Sequence, residues 1–204
     1  MREKTIDEFN ELLASRAPVP GGGGVSALAA ALGAGLGVMV GRLTAGKKKD
    51  EAQEAELLKL TVEADALRLR LLELVDEDAK CFEPLSKAYS LPKDTPGRDE
   101  IMENCLVLAA SAPMEVMRLS CRAIELMGDF ARLGSFLAVS DAGCGAELCR
   151  ASLRAAALNV FVNTRLMKNR ETAEKWNGEA RKMLEEYVPA AENIYRSVSD
   201  RLEG

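Results

Sequence analysis

LTVEADALRLRLLELVDEDAKCFEPL, residues 60–85, is the stretch that decides the fold. Leu60, Ala64, Leu67, Leu71, Leu74, Cys81 and Leu85 recur at alternating intervals of four and three residues, with Asp78 in the same register. That period lines them along one face of a helix and leaves most of the charged residues on the other. The spacing predicts a helix from about Glu51 to Leu85. Upstream, residues 17–41 carry no charge and are mostly Gly and Ala. Pro18, Pro20 and Gly21 to Gly24 break the front of that segment. The expectation is a flexible glycine loop followed by a helix from about Val25 to Ala45. The segment is long enough to span a bilayer, but its composition and broken front predict a buried helix of a soluble protein. Gly33, Gly37 and Gly41, four apart, form a strip of small side chains that lets another helix backbone approach closely.

The remaining chain carries the same period. Thr5 with Glu8 forms a capping box before Ile6, Phe9 and Leu13. Thr95 with Pro96 opens a helix running to about Phe130, bent at Pro113. Ser140 is placed as the N-cap of a helix ending at Leu166 or Met167. A last helix covers about Glu171 to Leu202, with a break at Pro189. No segment alternates apolar and polar residues as a strand does. The expectation is an all-α fold, with residues 1–204 forming one domain, a bundle of long antiparallel helices.

Composition excludes several functions. Hydrophobic residues make up 48% of the chain and aromatic ones only 4%, so Leu, Ala, Val and Met must fill the core. A net charge of −5 disfavours general nucleic-acid binding. The five cysteines, Cys81, Cys105, Cys121, Cys144 and Cys149, show no C-x-x-C pair and fit reduced thiols in the cytoplasm. Met1 to Asn10 is charged throughout, which predicts no signal peptide. There is no histidine, which removes Ser-His-Asp and Cys-His catalysis and disfavours a protein-bound metal such as zinc.

Several positions are candidates for chemistry. Asp78 occupies a core register where Leu or Ala stands before it. Burying a carboxylate there is costly unless it is paired or its pKa is shifted, so it is either a structural ion-pair member or an acid–base group. Gly21, Gly22, Gly23 and Gly24 before a helix offer unobstructed N–H groups and the positive end of a dipole, or a simple hinge. Gly41 to Lys48 nearly spells a Walker A loop, but Lys48 stands where Ser or Thr must hold magnesium. Lys47, Lys48 and Lys49, with Arg42, form a basic cluster for a carboxylate tail or a solvated helix end. Ser140-Asp141 reads equally well as ordinary helix-start chemistry. Asn159 and Asn163, four apart on an apolar helix, need partners or a polar ligand edge.

These residues resemble a known family. Pro18-Val19-Pro20-Gly21-Gly22-Gly23-Gly24-Val25-Ser26-Ala27-Leu28, Arg42-Leu43-Thr44 with Gly46-Lys47-Lys48-Lys49, and Asp76-Glu77-Asp78-Ala79 with Phe82 are similar to the cyclodeaminase domain of formiminotransferase-cyclodeaminases. Ser140-Asp141-Ala142-Gly143 and Asn159-Val160-Phe161-Val162-Asn163-Thr164 resemble the stand-alone bacterial methenyltetrahydrofolate cyclohydrolases. Gly24 departs from the Ser of the bifunctional proteins, Asp50 from a frequent aromatic, and Asn169 from a common Asp. The resemblance implies a homodimer or larger assembly and a tetrahydrofolate substrate, with no further cofactor. It implies hydrolysis of 5,10-methenyltetrahydrofolate, cyclisation of 5-formiminotetrahydrofolate with release of ammonia, or both. Asp78 is the expected acid–base group and Asp141 the second. Pro20 with the glycine run, Lys47, Lys48, Ser140, Asn159 and Asn163 are the expected substrate contacts. The alternatives are a non-catalytic helical scaffold and a folate-binding protein without turnover.

Overall fold

The computed structural model describes residues 1–204 as six helices and no strand. They are α1 (Ile6–Leu13), α2 (Gly22–Thr44), α3 (Glu51–Tyr89), α4 (Arg98–Leu133), α5 (Val139–Leu166) and α6 (Arg170–Glu203). Thr5 and Glu8 form the expected capping box on α1. Asp50 caps α3 by accepting from the Ala52 N–H, and Asn169 caps α6 by accepting from Thr172. Two of the three positions that depart from the family pattern are therefore helix caps.

The heptad stripe of α3 is buried along Leu60, Ala64, Leu67, Leu71, Leu74 and Leu85. Its outer edge is zipped to α4 by Arg132–Glu56, Arg122–Glu63 and Arg70–Glu115, an order that makes the two helices antiparallel. Helix α2 runs antiparallel to both α3 and α5. Its start lies against Asp78 and Asn159, and its end against Thr61 and Ser135. The α5–α6 hairpin is joined by a buried 2.6 Å hydrogen bond between the Thr164 hydroxyl and the Asn177 side chain.

The small-residue strip of α2 is used inside this bundle. A Cβ on Gly33 would sit 2.8 Å from the Gly145 carbonyl oxygen, and one on Gly37 would sit 2.2 Å from Met127 Cε. One on Gly41 would sit 2.1 Å from Thr61 Oγ1. Helices α3, α4 and α5 can therefore close on α2 only because these side chains are missing. By length and composition α2 is the one helix that could cross a membrane, yet 61% of its apolar window is buried in the bundle.

Several boundaries differ from expectation. The glycine run is not a loop: α2 begins at Gly22, and only Gly21 stands outside it as N-cap. None of Gly21 to Gly24 has a positive φ, and packing rather than backbone freedom explains Gly22 and Gly23. Helix α3 continues through Pro84 to Tyr89. The proline removes one hydrogen bond, while Leu85 and Ala88 beyond it are buried and hold the last turn. Gly97, with φ 72°, rather than Thr95, precedes α4. Ser140 is not an N-cap: α5 opens at Val139 after Ala138, and Ser140 is an exposed first-turn residue. Helix α6 runs unbroken across Pro189.

Candidate active site

The start of α2 and the end of α5 meet α3 and α4 around a cleft of about 190 Å³. Asp78, Gly22, Gly23, Phe82, Asn159 and Asn163 are among the residues that line it. Asp78 faces the first turn of α2, where a Cβ on Gly23 would fall 2.0 Å from its Oδ1. The glycine at 23 is thus the space the carboxylate occupies. A Cβ on Gly22 would fall 3.0 Å from the Asn159 Nδ2, so its neighbour makes room for the amide. Gly21, which also lines the cleft, has nothing within 4 Å of such a position.

The electrostatics of Asp78 distinguish its two sequence readings. No Arg or Lys pairs with it, whereas its neighbours Asp76 and Glu77 pair with Arg2 and Arg70. Burial pushes the Asp78 carboxyl up to about 6, and the Gly24 N–H offsets part of that rise. A carboxylate without a cation, raised toward neutral pH in a cleft, is the pattern of a proton-transfer group rather than of a structural ion pair.

The two asparagines are arranged as a ladder on α5. Asn163 donates to the Asn159 carbonyl at 2.8 Å, and Asn159 donates to the Ala155 carbonyl at 2.9 Å. Each spends one amide N–H on its own helix and keeps its side-chain oxygen unbonded, available to N–H groups of a ligand.

The cleft also contains residues that the sequence left unassigned. Phe82 stands one turn beyond Asp78 on α3, a position that i, i+4 spacing would have flagged. Ala109 and Pro113 stand one turn apart on α4 and both line the cleft. Pro113 has no N–H to return to the Ala109 carbonyl. Past Pro18, Val19 and Phe82 the cleft continues into a groove of about 350 Å³ along α3, edged by Lys80 and Lys87. Together the two spaces fall within the roughly 300–1,000 Å³ of small-molecule sites.

Other expected site residues lie elsewhere in the chain. Helix α2 has 23 residues, so Lys47 and Lys48 beyond its C-terminus are roughly 35 Å from Gly23 at 1.5 Å per residue. Asp141 and Ser140 open α5 while Asn159 is near its end, a separation of about 27 Å. Both sets sit at the opposite end of the bundle, where the Ser135 N–H donates to Thr44 at 3.0 Å.

The chain is similar to known proteins over nearly its whole length. Residues 5–182 match the family described as Formiminotransferase-cyclodeaminase. The chain belongs to that family. It is 36% identical to the methenyltetrahydrofolate cyclohydrolase of Methylorubrum extorquens, covering 98% of each chain. It is 33% identical to the formimidoyltransferase-cyclodeaminase of Dictyostelium discoideum, of which it spans 37%. Its fold matches the crystal structure of formiminotetrahydrofolate cyclodeaminase from Thermotoga maritima with a TM-score of 0.82 at 31% identity, covering 98% of this chain and 96% of that one. Membership of the cyclodeaminase family removes the scaffold reading of the glycine-rich helix, whose small face is in any case consumed within the chain.

Proposed function

We propose that this family member hydrolyses 5,10-methenyltetrahydrofolate to 10-formyltetrahydrofolate, with Asp78 as its acid–base group. The observation that carries the reading is the lone Asp78 carboxyl, raised to about 6 in a cleft and seated against the first turn of α2. Full-length similarity to a stand-alone cyclohydrolase supports the choice of hydrolysis. Similarity to cyclodeaminases supports cyclisation of 5-formiminotetrahydrofolate as a second activity of the same cleft.

The substrate's bridging carbon is an amidinium and already an electrophile, so no further cofactor is needed. Ionised Asp78 takes a proton from water as the water oxygen bonds to that carbon. The carboxylate also stabilises the bound cation. The tetrahedral adduct then collapses. The bond from carbon to N5 breaks, N5 receives the proton held by Asp78, and the hydroxyl proton leaves to solvent as the formyl carbonyl forms. One proton is released overall. Asn159, Asn163 and the Ala109 carbonyl accept hydrogen bonds from the pterin edge. In the deaminating reaction the substrate's own amine attacks in place of water, and Asp78 protonates the departing ammonia. The protein acts in the cytoplasm, where its five free cysteines stay reduced, and works as a homodimer.

Purified protein mixed separately with methenyltetrahydrofolate and formiminotetrahydrofolate tests the assignment. Loss of methenyl absorbance above the uncatalysed rate supports hydrolysis, and gain from the formimino substrate supports the second activity. No rate with either refutes both.

A further inference from the structure

Three buried serines form a hydrogen-bonded chain that runs from the middle of the bundle to the first turn of α2. Ser120 on α4, Ser152 on α5 and Ser26 on α2 are each no more than 1% exposed. The Ser152 hydroxyl donates to the Ser26 carbonyl at 2.6 Å, and the Ser26 hydroxyl donates to the Gly23 carbonyl at 2.7 Å. A hydroxyl has one hydrogen. With Ser152 already donating, the 3.1 Å contact between the Ser120 and Ser152 hydroxyls makes Ser120 the donor. The chain therefore has one direction, from Ser120 through Ser152 and Ser26 to Gly23.

Packing alone does not call for serine at these places. The same three helices bury Ala27, Ala30, Ala123 and Ala156 completely, and alanine would fill each serine position with no hydroxyl to desolvate. Seven polar residues are buried in the whole chain, and three of them are these serines. What the chain reaches supplies a reason. The first turn of α2 is Gly22-Gly23-Gly24, and its N-cap, Gly21, makes no side-chain hydrogen bond. These glycines have no side chain with which to anchor themselves, and glycine loses the most freedom on ordering. Yet the turn must stay in place, because Gly23 leaves the space for the Asp78 carboxylate and the Gly24 N–H donates to it. Ser26 grips the turn from within α2, and Ser152 ties it to α5, two helical turns before Asn159. Ser120 stands two turns beyond Pro113 on α4. The serines thus link three of the four helices that line the cleft, roughly 10 Å from it along α4 and α5.

We infer that Ser26 and Ser152 are positioning residues for the hydrolysis proposed above, holding the glycine turn of α2 where its Gly24 N–H and the gap at Gly23 set the Asp78 carboxylate. The inference rests on Asp78 being the acid–base group; the hydrogen bonds themselves do not. Without Ser152 the turn loses its tie to α5 and the Gly24 N–H slackens. The carboxylate then shifts and loses a hydrogen bond that favours its charged form. No titratable side chain lines the cleft from α2, α4 or α5, whose residues there are Gly, Ala, Pro, Asn and Val. Glu77, Lys80 and Cys81 lie near Asp78 on α3 itself and are untouched by the serines. A change in the Asp78 titration therefore reports the glycine turn.

The test compares Ser152→Ala and Ser26→Ala with Ser120→Ala, which leaves the Ser152–Ser26 and Ser26–Gly23 bonds in place. The Asp78 carboxyl is titrated by carbon-13 NMR, its signal identified by its loss in Asp78→Asn. The kcat and KM for methenyltetrahydrofolate are measured at pH 8 beside Tm, and kcat/KM is followed against pH. In Ser152→Ala and Ser26→Ala the carboxyl should titrate about half a pH unit or more above wild type, with the acid limb of kcat/KM moving up alongside it. Their kcat should fall about tenfold, short of the 10²-fold of a full 1 Å misplacement, with KM little changed. Ser120→Ala should keep a near wild-type titration and kcat whatever its Tm. An unmoved titration or an unchanged kcat in Ser152→Ala would overturn the proposal, as would losses in all three variants that simply follow Tm. If wild-type protein turns over neither folate, the functional reading fails, while the carboxyl titration still decides whether the serines hold the turn on Asp78.

Discussion

Gly23→Ala tests why a glycine starts α2. The new Cβ would lie 2.0 Å from Asp78 Oδ1, 2.5 Å from its Cγ and 2.7 Å from its Oδ2. The carboxylate must retreat by more than 1 Å to reach ordinary contact, or the first turn must lift and withdraw the Gly24 N–H. Overpacking of this kind costs about 1–3 kcal/mol. Alanine in place of glycine within a helix returns up to about 1 kcal/mol. The net loss of stability is therefore at most about 3 kcal/mol, while a displacement of about 1 Å in a reacting group costs on the order of 10²-fold in rate. Steady-state loss of methenyl absorbance and thermal unfolding, measured side by side, should show the rate falling far more than the fold. Gly21→Ala is the control for packing, since nothing lies within 4 Å of its Cβ position; its Tm should match wild type. Near-normal turnover in Gly23→Ala, or equal damage from Gly21→Ala, would refute the claim that Gly23 is the space for Asp78.

Three further outcomes are expected. Because Asp78 must be ionised to act as base and titrates near 6, kcat/KM should fall about tenfold per pH unit below 6; a flat profile down to pH 5 would contradict its role. Gly37→Leu should destabilise by about 1–3 kcal/mol or more, seen as a lower Tm, because Met127 Cε and Phe130 stand 2.2 and 2.9 Å from its Cβ position; an unchanged Tm would show the α2–α4 contact to be loose. Asn159→Leu should raise KM more than it lowers kcat, as loss of a contact made to bound and reacting substrate alike; an unchanged KM would take the pterin edge away from the asparagine ladder.

Period and spacing carried most of the fold. The Leu60 to Leu85 stripe identified both the core face of α3 and its one misplaced carboxylate, because a charge in a leucine register is visible without coordinates. The glycine run was misjudged for a physical reason. Glycine weakens an isolated helix, but here tertiary contacts from Asp78 and Asn159 clamp Gly22 and Gly23 into the first turn, and contacts between distant residues leave no mark on local propensity. The strip Gly33, Gly37 and Gly41 was rightly placed on one face, yet its partners proved to be α5, α4 and α3 of the same chain. Ser140 looked like a cap because sequence shows a capping residue type but not the turn that α5 begins with. The separation of Lys47 from Gly23 was readable from the length of α2. The meeting of α5's far end with α2's start, which brings Asn159 to Asp78, required the packed bundle.

Asp78→Asn, assayed for turnover and thermal stability at pH 8, tests the central claim most directly. The carboxyl sits at about 6 in the folded chain against an ordinary 3.8. A raised carboxyl stabilises the fold fully below 3.8 and loses that stabilisation as pH climbs through 6, so at pH 8 its charge costs the native state at most about 3 kcal/mol. Asparagine keeps the volume and removes the charge. Turnover should fall by about two orders of magnitude or more, while Tm at pH 8 holds or rises. A near wild-type rate would show that another group moves the proton. A Tm well below wild type, with activity lost only in proportion to unfolding, would show that Asp78 is a structural residue whose charge the fold depends on.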